Sequence, residues 1–411
     1  MATLYFLKTI CQTNTTDNLI HLRNTKVKKI SGGVFLRNVL VFFGGKSCEH
    51  DVSVITGVLT VNSIDKGTYN AIPVYVDKNG EWYTAEDLKD IEWFKNKTVK
   101  NLTKVTLISG SDTLYSVHKN KIKPIAKISV AINCIHGLNG EDGVLSGYLK
   151  MCNIPFASPD LFASSLSMDK DYTKVFLSGI GVDKLPCVRL FKESYYQKKD
   201  FTVKMIEKKF SYPVIVKPCN LGSSIGISVA KSSDELLKSL DIAFSYDEKV
   251  IVEKAIVGFR EINCAVYKSG DKIIVSECEE PITANEILSF NDKYLGSKSE
   301  VGKKFPADIP KELSKKIKAI TEKVYRKGDF TGVIRIDYLV SDSKIYLNEI
   351  NSVPGSLAYY LFCDSVKDFS NMLTELLREG IRKQIRENNR NFNFESNVLK
   401  EIKGAKGGKR S

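Results

Sequence analysis

The stretch VIRIDYLVSDSKIYLNEIN, residues 333–351, has two runs rich in β-branched and aromatic residues on either side of a polar turn at Ser341-Asp342-Ser343. That pattern predicts a β-hairpin. Side chains alternate faces along a strand, so Arg335 and Asp337 share a side, as do Glu349 and Asn351 on the returning strand. Where the two sides coincide, a guanidinium, two carboxylates and an amide oxygen meet in one patch. Such a patch suits Mg²⁺ bound to polyphosphate, because Mg²⁺ takes a few hard oxygen ligands and completes its shell with water and phosphate. Read alone, the same residues describe equally well a solvated hairpin face with an ion pair.

Outward from the hairpin, apolar runs alternate with helical periodicity. Val39-Leu-Val-Phe-Phe43 is a continuous apolar run closed by Gly44-Gly45, as a buried parallel strand should be. A helical pattern follows from Val52 to Ile64, then a strand over Ala71–Val76 and a buried strand over Ser129–Cys134 ending at His136-Gly137. This alternation predicts an α/β domain with a parallel sheet over 38–158. Ligands of such sheets lie beyond the carboxyl ends of the strands, where both glycine turns fall. A second segment, 159–255, reads as one helix over Ser167–Leu177, then strands around a glycine-serine loop, a helix over Ser233–Ala243 and a strand over Lys249–Lys254. A third, 256–390, holds strands over Glu261–Tyr267 and Lys272–Cys278, a polar loop around 284–304, a helix over 311–327, the hairpin and an amphipathic helix over 367–388. Residues 1–37 read as a poorly ordered extension and 391–411 as a basic, flexible tail.

At 411 residues the chain has room for two or three domains. Its 43% hydrophobic and 27% charged residues are those of a soluble globular protein. No apolar run approaches the roughly 20 residues of a membrane helix, and the opening Met1-Ala-Thr-Leu-Tyr-Phe-Leu7 is too short for a secretory signal. Nine cysteines without a CxxC pair suit reduced thiols in a cytoplasm, not a disulfide framework or zinc site. The net charge of +13 raises a nucleic-acid reading, but residues 1–37 hold six Lys/Arg against one Asp and 391–411 five against two Glu. Most of the excess is therefore terminal, no aromatic-rich RNA-binding motif accompanies it, and no specific nucleic-acid partner is expected.

Several motifs point to chemistry. Asn220-Leu-Gly222-Ser223-Ser224-Ile-Gly226 joins two strands; its amides and hydroxyls can cradle phosphate, and a flexible turn is the alternative. Lys170, Lys217, Lys254 and Lys293 are spread over the same half, and each alone reads as a surface charge. Lys217 differs, because it ends a buried strand five residues before Gly222, where an ammonium needs an anionic partner. Glu253 ends the next apolar run, with the same logic toward an adenine or ribose edge. Glu49, after Gly44-Gly45, suits a substrate ammonium or a helix's first turn. His136 opens a glycine-rich polar loop, and a lone histidine is more often structural than catalytic.

Together and in this order, the motifs resemble the ATP-grasp enzymes, most closely the D-alanine–D-alanine ligases. The matching pieces are VFFGGKSCEHDVS (41–53), HGLNGEDG (136–143), SLSMDKDYTK (165–174), PVIVKPCNLGSSIG (213–226), VEKAIVGFRE (252–261), NDKYL (291–295), IRID (334–337) and NEINSVPG (348–355). The resemblance implies an ATP-grasp fold, α/β with α+β character in the ATP-binding part. Its parts would be an N-terminal parallel-sheet domain, a central small domain and a C-terminal domain, with ATP between the last two. Adenine and ribose would meet Glu253, Lys254 and Glu261, and Lys170, Lys217 and Lys293 would serve the nucleotide. Ser223 and Ser224 would close over its phosphates. Asp337, Glu349 and Asn351 would bind two Mg²⁺ or Mn²⁺ ions. Glu49 would face the ammonium of a first D-alanine, with His136 and Lys293 nearby. That substrate's carboxylate attacks the γ-phosphate, and a second D-alanine's amine then displaces phosphate from the acyl carbon. Arg335 and the Gly355 amide would stabilise the oxyanion. Tyr294, on a lid, would hydrogen-bond toward Ser223 and Glu49, and its presence favours D-alanine over D-lactate. Small-molecule substrates, no membrane span, a cytoplasmic location and room for a homodimer belong to the same expectation.

The chain also departs from the family. A gapless count from Pro354-Gly355 puts Tyr360 where the family has a serine that binds the second substrate's carboxylate. The lid segment 296–304 is unusually basic. An acceptor such as D-serine or D-lactate therefore stays open beside D-alanine. A non-catalytic relative is disfavoured by the complete set Arg335, Asp337, Glu349 and Asn351.

Overall fold

Each residue from Val39 to Phe43 is 0% exposed in β1 (Arg37–Gly44), so the first apolar run is buried on both faces. The computed structural model describes residues 36–96, 102–256, 258–282, 302–341, 344–391, 394 and 396. Lys293, Tyr294, residues 1–35 and most of the basic tail lie outside the described residues.

After β1 come α1 (His50–Ser63), β2 (Tyr69–Val76), β3 (Trp82–Thr84), β4 (Thr103–Thr106), β5 (Thr113–His118), β6 (Lys121–Lys127) and β7 (Val130–Asn133). They form a seven-stranded sheet in the order β6-β5-β4-β3-β2-β1-β7. Only β2, β1 and β7 run parallel; β3 to β6 extend the sheet antiparallel, so the expected parallel sheet is a mixed one. The reason is local: the two-residue turn Lys119-Asn120 between β5 and β6 can join only antiparallel strands. At the end of β1, Gly44 holds φ +92, and a Cβ there would lie 2.2 Å from the Val76 carbonyl oxygen. Glycine is required at that turn, and it brings Glu49 round to the head of α1.

The single helix expected over Ser167–Leu177 is two, α2 (Leu161–Met168) and α3 (Lys170–Gly179). Asp169 stands between them in an extended conformation, and its carboxylate accepts from the Asp171 and Tyr172 amides at 3.0 Å each. An aspartate that caps so well competes with helix continuation. Next, β8 (Cys187–Phe191), β9 (Val214–Pro218), β10 (Ser228–Ala230) and β11 (Lys249–Lys254) form an antiparallel sheet ordered β10-β9-β11-β8.

The remaining strands are β12 (Arg260–Ser269), β13 (Lys272–Val275), β14 (Glu280–Ile282), β15 (Gly302–Lys304), β16 (Val333–Ser341) and β17 (Lys344–Asn351). One antiparallel sheet is ordered β13-β12-β16-β17, and β14 pairs with β15 alone. The α4 helix (Lys311–Lys327) backs this sheet, and α5 (Val366–Asn388) reaches further. Its Phe369, Met372, Leu373, Leu376 and Leu377 share one core with Val39, Val41, Phe43 and Val54. Truncating a fully buried leucine such as Leu373 costs about 2–5 kcal/mol. This shared core carries the turn after β17 against α1.

Candidate active site

Residues of β12, β14, β15, β16 and β17, the head of α1, the turn after β7 and the loop between β9 and β10 converge on a polar pocket whose wall includes Glu49, His136, Ser223, Arg335, Glu349, Asn351, Gly355 and Tyr360. Glu49 is 6% exposed at the head of α1, and Ser223 Oγ donates to its Oε1. The bond needs a bare backbone beside it: a Cβ on Gly222 would lie 2.9 Å from Glu49 Oε2. Ser223 and Ser224 hold φ of +52 and +58, a left-handed conformation costing roughly 1–2 kcal/mol each. Such strain clusters at ligand clamps.

His136 is 4% exposed, and its Nε2 lies 3.0 Å from Thr56 Oγ1 on α1. The Ser356 amide donates to the same hydroxyl at 3.0 Å. Burial pushes the imidazole down to about 4, so it is neutral at pH 7. Glu141 adds a second clasp, accepting from the Gly137 amide at 2.9 Å and the Val353 amide at 3.0 Å. Burial, then the Glu49 charge, pushes the Glu141 carboxyl up to about 8.

In the hairpin, Arg335 lies opposite Asn351 and Asp337 opposite Glu349. This register makes the two strand faces coincide. Arg335 donates Nε and Nη2 to the two oxygens of Asp337 at 2.7 and 2.8 Å, and Asn351 Nδ2 donates to Asp337 Oδ2 at 3.0 Å. Among the described residues no three His, Cys, Asp or Glu side chains group as a metal cage. The set is two carboxylates and an amide, which fits an Mg²⁺ ion that draws its other ligands from phosphate and water. Beyond Asp337 the register slips, so Tyr338 pairs with Leu347 and Asn348 is a bulge residue. The bulge turns Asn348 to the same side as Glu349, and Asn348 Oδ1 accepts from Lys217 Nζ at 3.1 Å. On the neighbouring strand Asn263 faces Asp337, and its buried Oδ1 has no hydrogen-bond partner among the described residues.

Beside the polar pocket runs a cleft, with Glu261 and Glu349 lining both. Its walls are Leu185, Ile215, Ile227, Ile256, Phe259 and Leu339, an apolar slot for a flat ring. Its polar lining is Lys170, Lys217, Ser224, Glu261, Asn348 and Glu349. Lys170 Nζ donates to the Leu221 carbonyl at 2.5 Å, tying α3 to the glycine-serine loop. Glu253 and Lys254, expected beside adenine and ribose, are not among the residues that line this cleft. Glu253 is 0% exposed, held by Lys217 at 2.7 Å and Lys174 at 2.5 Å. Lys254 is exposed at the end of β11. The wall is made instead by the apolar residues that follow.

Tyr360 follows three successive left-handed residues, Ser356, Leu357 and Ala358, with φ of +51, +52 and +51. Lys303 Nζ stacks 4.0 Å over its ring and lies 3.6 Å from Glu279. Burial pushes the Tyr360 phenol up, and the neighbouring Arg335 opposes that shift. Thr56, Glu141, Lys174, Asn263, Glu279, Lys303 and Asn348 were not among the residues expected at the site. Glu141 and Lys174 stand inside the motifs HGLNGEDG and SLSMDKDYTK, so their positions were legible; the bulge that redirects Asn348 was not.

Residues 38–159 match the family model for the D-ala D-ala ligase N-terminus, and residues 176–379 the model for its C-terminus. The D-alanine--D-alanine ligase of Thermosipho africanus is 38% identical over 353 residues, covering 83% of this chain and 92% of that protein. That of Campylobacter concisus is 36% identical over 342 residues, covering 82% and 91%. Among solved structures, the Helicobacter pylori D-Alanine-D-Alanine Ligase is similar with TM-score 0.67 and 30% identity, over 82% of this chain and 98% of that one. The VanG D-Ala:D-Ser Ligase from Enterococcus faecalis is similar with TM-score 0.71 and 28% identity, over 84% and 100%.

Proposed function

This chain belongs to the D-alanine–D-alanine ligase family, and from that membership we propose that it joins two D-alanines at the expense of ATP, giving D-alanyl-D-alanine, ADP and phosphate for peptidoglycan synthesis. The observation that carries the proposal is the convergence of Glu49, Ser223, Arg335, Glu349, Asn351 and Gly355 on one pocket beside a largely apolar cleft that Lys170 and Lys217 also line. ATP's adenine enters the apolar slot, and Lys170 and Lys217 hold its phosphates. Phosphoryl transfer asks mainly for positioning and positive charge, which these residues supply. Asp337, Glu349 and Asn351 are the residues for Mg²⁺ or Mn²⁺, two ions in all; bound metal neutralises charge on the phosphate oxygens.

Glu49, held by Ser223, receives the ammonium of the first D-alanine, beside neutral His136. The carboxylate of that D-alanine attacks the γ-phosphorus, ADP leaves, and a D-alanyl phosphate forms. The second amine, as free base, attacks the acyl carbon. Negative charge gathers on the acyl oxygen, where Arg335 and the Gly355 amide stabilise it, and phosphate departs. Lys293 and Tyr294 belong to the proposed lid and lie outside the described residues. Domain limits of 38–158, 159–255 and 256–390, a cytoplasmic location and a homodimer complete the reading. Among the described residues no helix is long and apolar enough to cross a membrane.

A second reading keeps the chemistry and changes the acceptor, and Tyr360 under Lys303 is the observation in its favour. Phosphate release from purified protein with ATP and Mg²⁺, given D-alanine alone and then D-alanine with D-serine or D-lactate, decides between them. The expected result is fast turnover with D-alanine alone and a dipeptide of D-alanyl-D-alanine mass. Turnover only with another acceptor would establish the second reading, and silence throughout would sink both.

A further inference from the structure

We infer that Lys174, which contacts no ligand in the reading above, is a positioning residue that fixes the net charge of the phosphate-binding cluster and so leaves Lys217 a cation in surplus for ATP. The inference rests on the ATP reading of the cleft. Glu253 is 0% exposed, and its two oxygens are taken separately: Oε1 by Lys174 Nζ at 2.5 Å and Oε2 by Lys217 Nζ at 2.7 Å. The lysine side chains are 4% and 9% exposed. Burial alone would push the Glu253 carboxyl up, but Lys217 and Lys174 together hold it at about 2. Two ammoniums on one carboxylate leave one positive charge, and the member of the trio that lines the cleft is Lys217.

The fold makes the arrangement specific. Lys174 stands one helical turn after Lys170 on α3, and the Asp169 cap fixes the start of that helix. It also donates to the Leu185 carbonyl at 3.4 Å, at the wall of the adenine slot. Without Lys174, Glu253 and Lys217 would form a neutral buried pair, and the ammonium would be spent on its own carboxylate. A charge buried behind a carboxylate is poorly screened by salt, so its effect reaches a phosphate it never touches.

The charge count can be tested directly. Binding of a non-hydrolysable ATP analogue with Mg²⁺ is measured by calorimetry in the absence of D-alanine, with unfolding midpoints recorded for every variant. K174M removes one charge and is expected to loosen nucleotide binding about tenfold or more, with the KM for D-alanine within about twofold of wild type. K174M/E253Q restores the net charge and is expected to recover binding to within about threefold. A purely structural role for Lys174 would not be repaired by a second substitution that removes its partner's charge. K174M binding like wild type, or a double variant no better than K174M, would overturn the inference. Should K174M not fold, E253Q alone decides: binding no weaker than wild type supports the charge count, and threefold loosening overturns it. Wild-type protein that binds no nucleotide would instead overturn the ATP reading itself.

Discussion

Arg335 and Asp337 form one tightly bonded pair. The guanidinium gives two bonds to the carboxylate, at 2.7 and 2.8 Å, so it is aimed before any substrate arrives. Preorganised donors act where charge develops and cost no reorganisation during the reaction. Arg335→Ala should therefore lower kcat on the order of a hundredfold or more; near-normal turnover in steady-state assays would remove Arg335 from the oxyanion site. His136 makes a prediction in pH. Burial depresses its folded value to about 4 from 6.5 in the free side chain. The unfolded chain therefore takes up the proton first, and stability falls as pH drops from about 6.5 toward about 4. Denaturant unfolding of wild type and His136→Asn across that window checks the sign: the variant should show the shallower decline. Steeper loss in the variant would contradict the burial argument.

At the scale of the element, the turn from Gly355 to Leu361 concentrates what is unusual in this chain. Three consecutive left-handed residues bend it, at roughly 1–2 kcal/mol each. Thr56 of α1 fastens it, accepting from the Ser356 amide while touching His136. Thr56→Val removes both bonds but keeps the shape, so kcat/KM for D-alanine should fall about tenfold, a loss matching one or two hydrogen bonds left unmade in a buried site. A unit change in kcat/KM would show that the turn needs no fastening. Tyr360→Phe removes only the phenol oxygen, next to Arg335 and under Lys303. It should raise the KM of the second D-alanine while leaving the first unchanged; equal effects on both, read from initial rates at varied D-alanine, would place Tyr360 outside the acceptor site.

At the scale of the molecule, the pocket exists because the first sheet and the last helix share a core. Apolar burial that includes Val54, Val353 and Leu357 holds Glu49 and Gly355 on one pocket. The ends matter differently. Residues 1–37 and 391–411 carry most of the +13 charge, so retention on a polyanion column should be salt-sensitive and should vanish in a chain trimmed to 36–391, with ligase turnover kept. Retention surviving the trim would locate anion binding in the body instead.

Much of this is legible in the sequence. That Arg335 shares a side with Asp337, and Glu349 with Asn351, follows from strand alternation, a property of extended backbone; the register that merges the two pairs into one face came from the pairing. The buried β1 strand and the limits of α4 were equally local, set by apolar runs and helical period. Tertiary structure decided what depends on distant partners. Residue order does not say that Asp169 would stop a helix, that β3 to β6 would pair antiparallel, or that a bulge would send Asn348 to Lys217. Nor does it reveal that Glu253 would be buried between two lysines. A carboxylate at the end of an apolar strand must find a cation; which one is decided only when Lys174 and Lys217, 43 positions apart in the chain, are packed against one carboxylate, an oxygen each.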